Sequence, residues 1–461
     1  MVQAMVPFAE FSEAGGLLFP GLGQMTPSGD QITAIVGHIR KSHDDSHEGS
    51  IPAGYTYLGQ FIAHDFVPGR GTARKVLPRL NLDSVYGLGD ESVMCSDGRF
   101  LLGPRDAKGQ VVDLFRWRGE ALIPEARNDE NVIIAQVHLM FQKIHNELVD
   151  RLEPIMGSGP TVIEATRKLN VYLYQRLLMD DYLPRILAPA VSDSLLFKGE
   201  RVLSADGFLS DPLEFVPLEF SHAAFRFGHS MVRQNYFLMD GKSFTLDKLL
   251  RRGQPIPASM ALDWDSMFGF AGANPANSID TELASELSHI ATDEGPVDLV
   301  FMNVHGSKAL PSGGRIADLF RNKFWKLGIA RVVRPDIEEA LGIANLSVEN
   351  LPLWVYFLIE AMCHQRSSHS SGQPPDQHRS LRDCPGRCLG PLASLIVGEV
   401  VLAGMRSAPF GIHIPPEGIA NMLPNAATAE LHKLLVKLGT VTVQRLVREF
   451  PSTIIQSGGT R

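Results

Sequence analysis

A chain of 461 residues with 44% hydrophobic and 20% charged side chains can bury a large core, and this excludes wholesale disorder. The net charge of -8, without a basic cluster, argues against nucleic acid or an anionic membrane as the main partner. No apolar run is long enough to span a bilayer, and the first ten residues lack a basic and then apolar leader, so a cytoplasmic protein acting on a small molecule is expected.

Residues 1–50 are rich in Gly, Pro, Ser and His with little periodicity, and are expected to form an arm packed on a single large domain, 51–461. Pro52 and Gly54 punctuate the chain before Tyr57-Leu-Gly-Gln60-Phe-Ile-Ala63-His64-Asp65, which reads as helical. Gln60 and His64 are four apart and share a face, while Asp65 sits about 100° further round, so one helix can serve two sites. The stretch 68–105 is loop-like, with Asn81-Leu-Asp83-Ser84-Val-Tyr86-Gly87 its most structured part. After Arg127 a long buried helix is expected, with Asn128 as N-cap, Asp129 and Glu130 in the first turn, and an end at 152–154. Ile133, Val137, Ile144 and Leu148 supply its helical spacing.

A second helix is expected over 161–178, with a break at Pro184. Residues 189–216 are mixed, with a hairpin as one option. Further helical signals cover 220–232, 279–289, 314–327, 337–340, 351–362, 389–404, 426–438 and 441–450. Strand patterns are few and short, which makes the fold mainly α, with a low-complexity, flexible insertion over 367–387. Cys384 and Cys388 lie near His364, His369 and His378, but the irregular spacing favours a surface loop over a metal site.

Five polar residues stand inside or at the start of apolar helices or runs: His64, Arg127, Glu130, His229 and Asn303. Taken singly, such a histidine is usually a hydrogen-bonded core residue and such an arginine a surface charge. Their neighbourhoods carry more. Ile51-Pro-Ala-Gly-Tyr-Thr-Tyr-Leu-Gly-Gln-Phe-Ile-Ala-His-Asp65 resembles the distal-histidine segment of the animal-type haem peroxidases, in the peroxidase-cyclooxygenase superfamily, especially its bacterial branch. Leu82-Asp-Ser-Val-Tyr-Gly87 is similar to that family's calcium loop. Arg127-Asn-Asp-Glu130, with His138 and His145-Asn-Glu, resembles its distal-arginine helix, and Phe225-Arg-Phe-Gly-His229 its proximal-histidine helix. Phe301-Met-Asn303, Leu310-Pro-Ser, Leu351-Pro-Leu-Trp and Leu389-Gly-Pro-Leu continue the likeness, which covers roughly residues 15 to 408.

The resemblance implies a helical domain with haem b between the 57–65 and 127–151 helices on one side and the 220–232 helix on the other. It makes His229 the iron ligand, oriented by Asn303, and assigns Arg226 to a haem propionate. His64 becomes the acid and base for hydrogen peroxide, Arg127 the cation beside the departing oxygen, and Gln60 a partner for pocket water. The implied reaction is peroxide-dependent oxidation of a small organic donor through a ferryl intermediate, in a dedicated role such as secondary metabolism. Asp65, Asp83 and Asn81 would hold calcium; Asn81 in place of an aspartate, and Arg79 nearby, both weaken such a site. The alternative is an Asp65 that caps or hydrogen-bonds the loop.

Departures from the family pattern narrow these expectations. Ala63 replaces an ester-forming aspartate, so Glu130 leaves at most one covalent link to haem, and Asn131 removes a sulfonium bond. Gly306, within Val304-His305-Gly306-Ser-Lys-Ala309, cannot anchor a second propionate, which implies a looser or shifted haem. Arg226 stands where the dioxygenase relatives carry a radical-forming tyrosine and therefore favours peroxidase chemistry. The rival readings are a haem oxygenase or dioxygenase that uses oxygen, and a catalytically weak haem-binding protein.

Overall fold

The computed structural model describes residues 16–40, 48–67, 77–88, 94–106, 108–269, 274–290, 296–363 and 386–453. The described chain is mainly α, as expected. Its strands are two- to five-residue pieces in antiparallel pairs, such as Glu48–Pro52 with Pro275–Asn277 and Arg116–Trp117 with Glu120–Ala121. The histidines around Cys384, and most of the expected insertion, lie outside the described residues. No described helix is long and apolar enough to cross a membrane.

Two compact units form, each from three stretches of chain. The first contains Met1–Thr56, Leu183–Asn235 and Pro275–Ala403; the second contains Tyr57–Tyr182, Tyr236–Asn274 and Gly404–Arg461.

In the second unit the helix Val132–Met156 is the spine, buried along most of its length. Its N-cap is Asn131 and not Asn128: the Asn131 side chain accepts from the Ile133 and Ile134 amides at 3.1 and 2.9 Å. Asn128 and Asp129 instead lie in the separate 3-10 turn Ala126–Asp129, where their side chains are committed elsewhere. Asp129 meets both terminal nitrogens of Arg116 at 2.6 Å. Pro154 falls in the last turn without ending the helix, which runs on to Met156.

The helix Pro160–Leu177 packs along the spine and continues as a π turn, Leu178–Tyr182. Phe61 on the helix Gly54–Phe66 stacks on Phe141 at 5.1 Å, and Tyr174 meets both rings edge-on. All three are fully buried, each contributing about 1.5–3 kcal/mol. The helix carrying His64 is thus fixed to the spine by an aromatic cluster one turn from the histidine. Gly59 allows the approach of Tyr182: a Cβ there would lie 2.5 Å from the phenol oxygen.

In the first unit the helices Leu353–Cys363 and Pro391–Arg406 form the apolar centre. Buried carboxylates pin loops to it. Glu360 accepts from the Leu392 and Ala393 amides at 2.8 and 3.1 Å, at a helix N-terminus where the dipole favours negative charge. Glu399 holds the 202–204 amides, and Glu219 holds those of Leu18 and Phe19.

Several expectations are corrected. Residues 29–39 form a helix with a Ser28–Gln31 capping box and bury Ile32, Ile35, Val36 and Ile39, so that part of the arm is a regular element. The expected helix over 220–232 is two short pieces, Leu218–Ser221 and the 3-10 turn Ala224–His229. Only Ser285–Ser288 is helical within 279–289, and residues 189–216 contain short α and π turns and no strand.

Candidate active site

The second unit brings His64, Arg127, Gln60 and Glu130 together. His64 is 2% exposed, and its Nδ1 lies 2.9 Å from the Asn128 carboxamide oxygen. The Asn128 carboxamide nitrogen in turn donates to His138 Nδ1 at 3.0 Å. Burial pulls the His138 imidazole down to about 3, against a small upward effect of Glu125, so it is neutral at ordinary pH.

Arg127 is buried, and its charge is already paired. Its Nε and Nη2 meet the two Glu125 oxygens at 2.8 and 3.0 Å, and Nη2 also donates to the carbonyls of His64 and Val67 at 3.1 and 2.9 Å. The guanidinium therefore caps the C-terminal end of the helix that carries His64. Nη1 makes no hydrogen bond to any described residue. Sequence reasoning missed Glu125; the signal was an acid two residues before an arginine in an apolar setting.

Gln60 is engaged at both ends of its carboxamide, accepting from Asn131 at 3.1 Å and donating to Glu130 at 3.3 Å. Its carboxamide thereby links Asn131 to Glu130. Burial pushes the Glu130 carboxyl up to about 8, with Arg127 pulling the other way, and its Oε1 has no hydrogen-bond partner. A buried, protonated carboxyl with one idle oxygen fits an ester-forming position.

The calcium residues do not fit the ion. Asp65 accepts from the amides of Asn81, Leu82 and Ser84 at 3.2, 3.1 and 2.7 Å. Asp83 is taken by Arg79 at 2.7 Å, by the side-chain carboxamide nitrogen of Asn81 at 2.9 Å and by Arg167 at 3.5 Å. Two guanidinium groups already neutralise the one remaining carboxylate, and Asn81 turns a donor toward it. The capping alternative is the observed one, and no group of three or more His, Cys, Asp or Glu poised for a metal occurs among the described residues.

The first unit brings Arg226, His229 and Asn303 together. The turn Ala224–His229 is 3-10, with three residues per turn, so Arg226 and His229 stack along one edge. Asn303, fully buried on the helix Leu299–Ser307, lies with its carboxamide nitrogen 2.7 Å from His229 Nδ1 and its oxygen 3.1 Å from Arg226 Nη1. Arg226 Nε donates to the Ser221 carbonyl at 2.9 Å, and Trp354 donates to the Arg226 carbonyl at 3.2 Å. Burial, then the Arg226 charge, hold the His229 imidazole down to about 3. Arg226 itself is lowered to about 10 by burial, with no carboxylate among the causes of the shift.

These residues fit haem. A neutral imidazole with an amide at Nδ1 suits an iron ligand, and a half-buried guanidinium lacking a carboxylate suits a propionate. As placed, the Asn303 carboxamide nitrogen faces Nδ1 and its oxygen faces Arg226, so iron ligation through Nε2 would require the carboxamide to turn over and accept from Nδ1–H through its oxygen.

Residues 105–308 match the family model described as animal haem peroxidase. The peroxidasin homolog pxn-2 of Caenorhabditis elegans is 28% identical over 295 residues, 57% of this chain and 21% of that protein, so the chain spans about a fifth of that relative's length. Among solved structures, peroxidase A from Dictyostelium discoideum superposes with a TM-score of 0.58 at 18% identity, covering 94% of this chain and 90% of that one. The Oryza sativa fatty acid alpha-dioxygenase gives 0.61 at 12% identity, covering 98% and 86%. At these identities the structural likeness speaks for the fold alone. The animal haem peroxidase match is thus carried by residues 105–308, and the structural likeness extends the shared fold over most of the chain.

Proposed function

We propose that this chain is a haem peroxidase that reduces hydrogen peroxide while oxidising a small organic donor. The observation that carries the reading is the His64–Asn128 contact of 2.9 Å, which puts the imidazole proton on Nδ1 and the lone pair on Nε2. Haem b, which His229 and Arg226 would hold and to which Glu130 could give at most one ester, would supply the redox chemistry toward peroxide. His64 Nε2 then removes a proton from the incoming peroxide oxygen and delivers it to the departing one. Arg127, already balanced by Glu125, assists as a fixed donor through Nη1 more than as a bare charge. Gln60 and Asn131 hold the Glu130 carboxyl in place.

The test is the absorption spectrum of the reconstituted protein before and after peroxide. A Soret band that changes with peroxide is expected, whereas no Soret band overturns the whole reading. His229→Ala is expected to alter iron ligation, while His64→Ala keeps haem bound and slows the reaction with peroxide by about 10²–10⁴-fold. Substrate oxidation with oxygen and no peroxide would move the assignment to an oxygenase.

A further inference from the structure

The second unit contains a feature that peroxide chemistry alone does not require: two buried histidines joined through one carboxamide. His64 Nδ1 faces the Asn128 oxygen at 2.9 Å and His138 Nδ1 faces the Asn128 nitrogen at 3.0 Å. A carboxamide has one accepting end and one donating end, so the two imidazoles must carry opposite protonation at Nδ1. In the observed orientation His64 is protonated at Nδ1, and His138 accepts there and carries its proton on Nε2.

We infer that Asn128 and His138 together form a tautomer lock on His64, in which His138 holds the Asn128 carboxamide in the one orientation that keeps the His64 proton on Nδ1. Both are positioning residues; neither needs to touch haem or peroxide. Three observations beyond the distances support the assignment. Asn128 is fully buried within the short 3-10 turn Ala126–Asp129, whose neighbours Arg127 and Asp129 are tied down by Glu125 and Arg116. The amide therefore sits on a fixed backbone. His138 is fully buried on the spine helix, with its ring edge-on to Phe61 at 6.2 Å, and burial keeps it neutral, so its Nδ1 remains an acceptor across ordinary pH. Finally, His138 Nε2 is buried with no hydrogen-bond partner, a destabilising defect that a leucine or phenylalanine would avoid. A side chain kept at that cost in an apolar helix is explained by what its other nitrogen does.

The lock rests on the reading of His64 as the proton-transfer group, and the experiment separates the two. In 15N-histidine-labelled full-length protein, before haem is added, nitrogen shifts and couplings assign the tautomer of each imidazole. The lock expects Nδ1–H at His64 and Nε2–H at His138. It also expects Asn128→Leu and His138→Phe to leave His64 a mixture of tautomers, and His138→Gln, which offers Asn128 a new acceptor, to restore Nδ1–H. After reconstitution, the same two disruptive variants should react with peroxide at least about tenfold more slowly, with His138→Gln recovering most of the rate. Nε2–H at His64 in the parent protein overturns the lock, as does an unchanged His64 tautomer in both disruptive variants. If a variant does not fold, the parent assignment still decides. A confirmed tautomer pair in a protein that fails to react with peroxide would sink the functional reading and leave the lock standing.

Discussion

The Glu125–Arg127 pair sets up the most demanding stability test. Both side chains are buried, at 0% and 3% exposure, and the carboxylate meets the guanidinium through two hydrogen bonds of 2.8 and 3.0 Å. Glu125→Gln keeps the shape and one acceptor but leaves a buried cation without its anion. Breaking a buried pair from one side costs about 3–5 kcal/mol, because the remaining charge cannot regain water. The loss should spread to the carbonyls of His64 and Val67, which Arg127 caps. Glu125→Gln is therefore expected to lower the urea unfolding free energy by about 3–5 kcal/mol and to speed amide exchange at the end of Gly54–Phe66. Combining it with Arg127→Met removes the orphaned charge, so the double variant should be more stable than the sum of the single losses allows. A loss below about 1 kcal/mol for Glu125→Gln, at an unchanged urea slope, would mean that the carboxylate is not what holds Arg127, and the account of the distal arginine would fail.

Three further outcomes follow from the same geometry. The Glu130 carboxyl is raised to about 8 in the fold, so before haem is added its contribution to stability is complete below the ordinary carboxylate range and is lost as pH rises through about 8; Glu130→Gln should flatten that decline, a difference of about 3 kcal/mol at pH 7 in unfolding titrations. Calcium or a chelator should leave the melting temperature within about 1 °C, whereas Asp65→Ala, which strands the amides of Asn81, Leu82 and Ser84, should lower stability by about 3 kcal/mol or more; strong stabilisation by calcium would refute the arginine-filled loop. Gly59→Ala places a methyl group 2.5 Å from the Tyr182 oxygen and should cost about 1–3 kcal/mol in thermal unfolding, and a neutral result would show that the contact relaxes freely.

What could be read from the sequence, and what could not, divides along a physical line. Long apolar periodicities carried the helices Val132–Met156, Pro160–Leu177 and Pro391–Arg406, because burial along a whole face leaves a signal that survives local detail. The helix Gly29–Ile39 was equally legible through Ser28, Gln31 and its isoleucines; the surrounding glycines and serines masked a valid pattern. The short 3-10 turn at His229 was not, since Phe, Arg, Phe and His at this spacing fit an α-helix as well, and only the packing with Asn303 and Trp354 selects the tighter turn. The functional side chains were legible by identity and not by partner. Asn128 shows why. An asparagine ahead of acids and an apolar run has the composition of an N-cap, and its neighbour Asn131 takes that task with two amide bonds. What distinguishes the two asparagines is which histidines stand within reach, His64 from 64 positions upstream and His138 from ten downstream. No local pattern encodes a contact of that sequence separation, so the motif Arg127-Asn-Asp-Glu130 drew attention to its arginine, while the contacts to both histidines belong to the asparagine beside it.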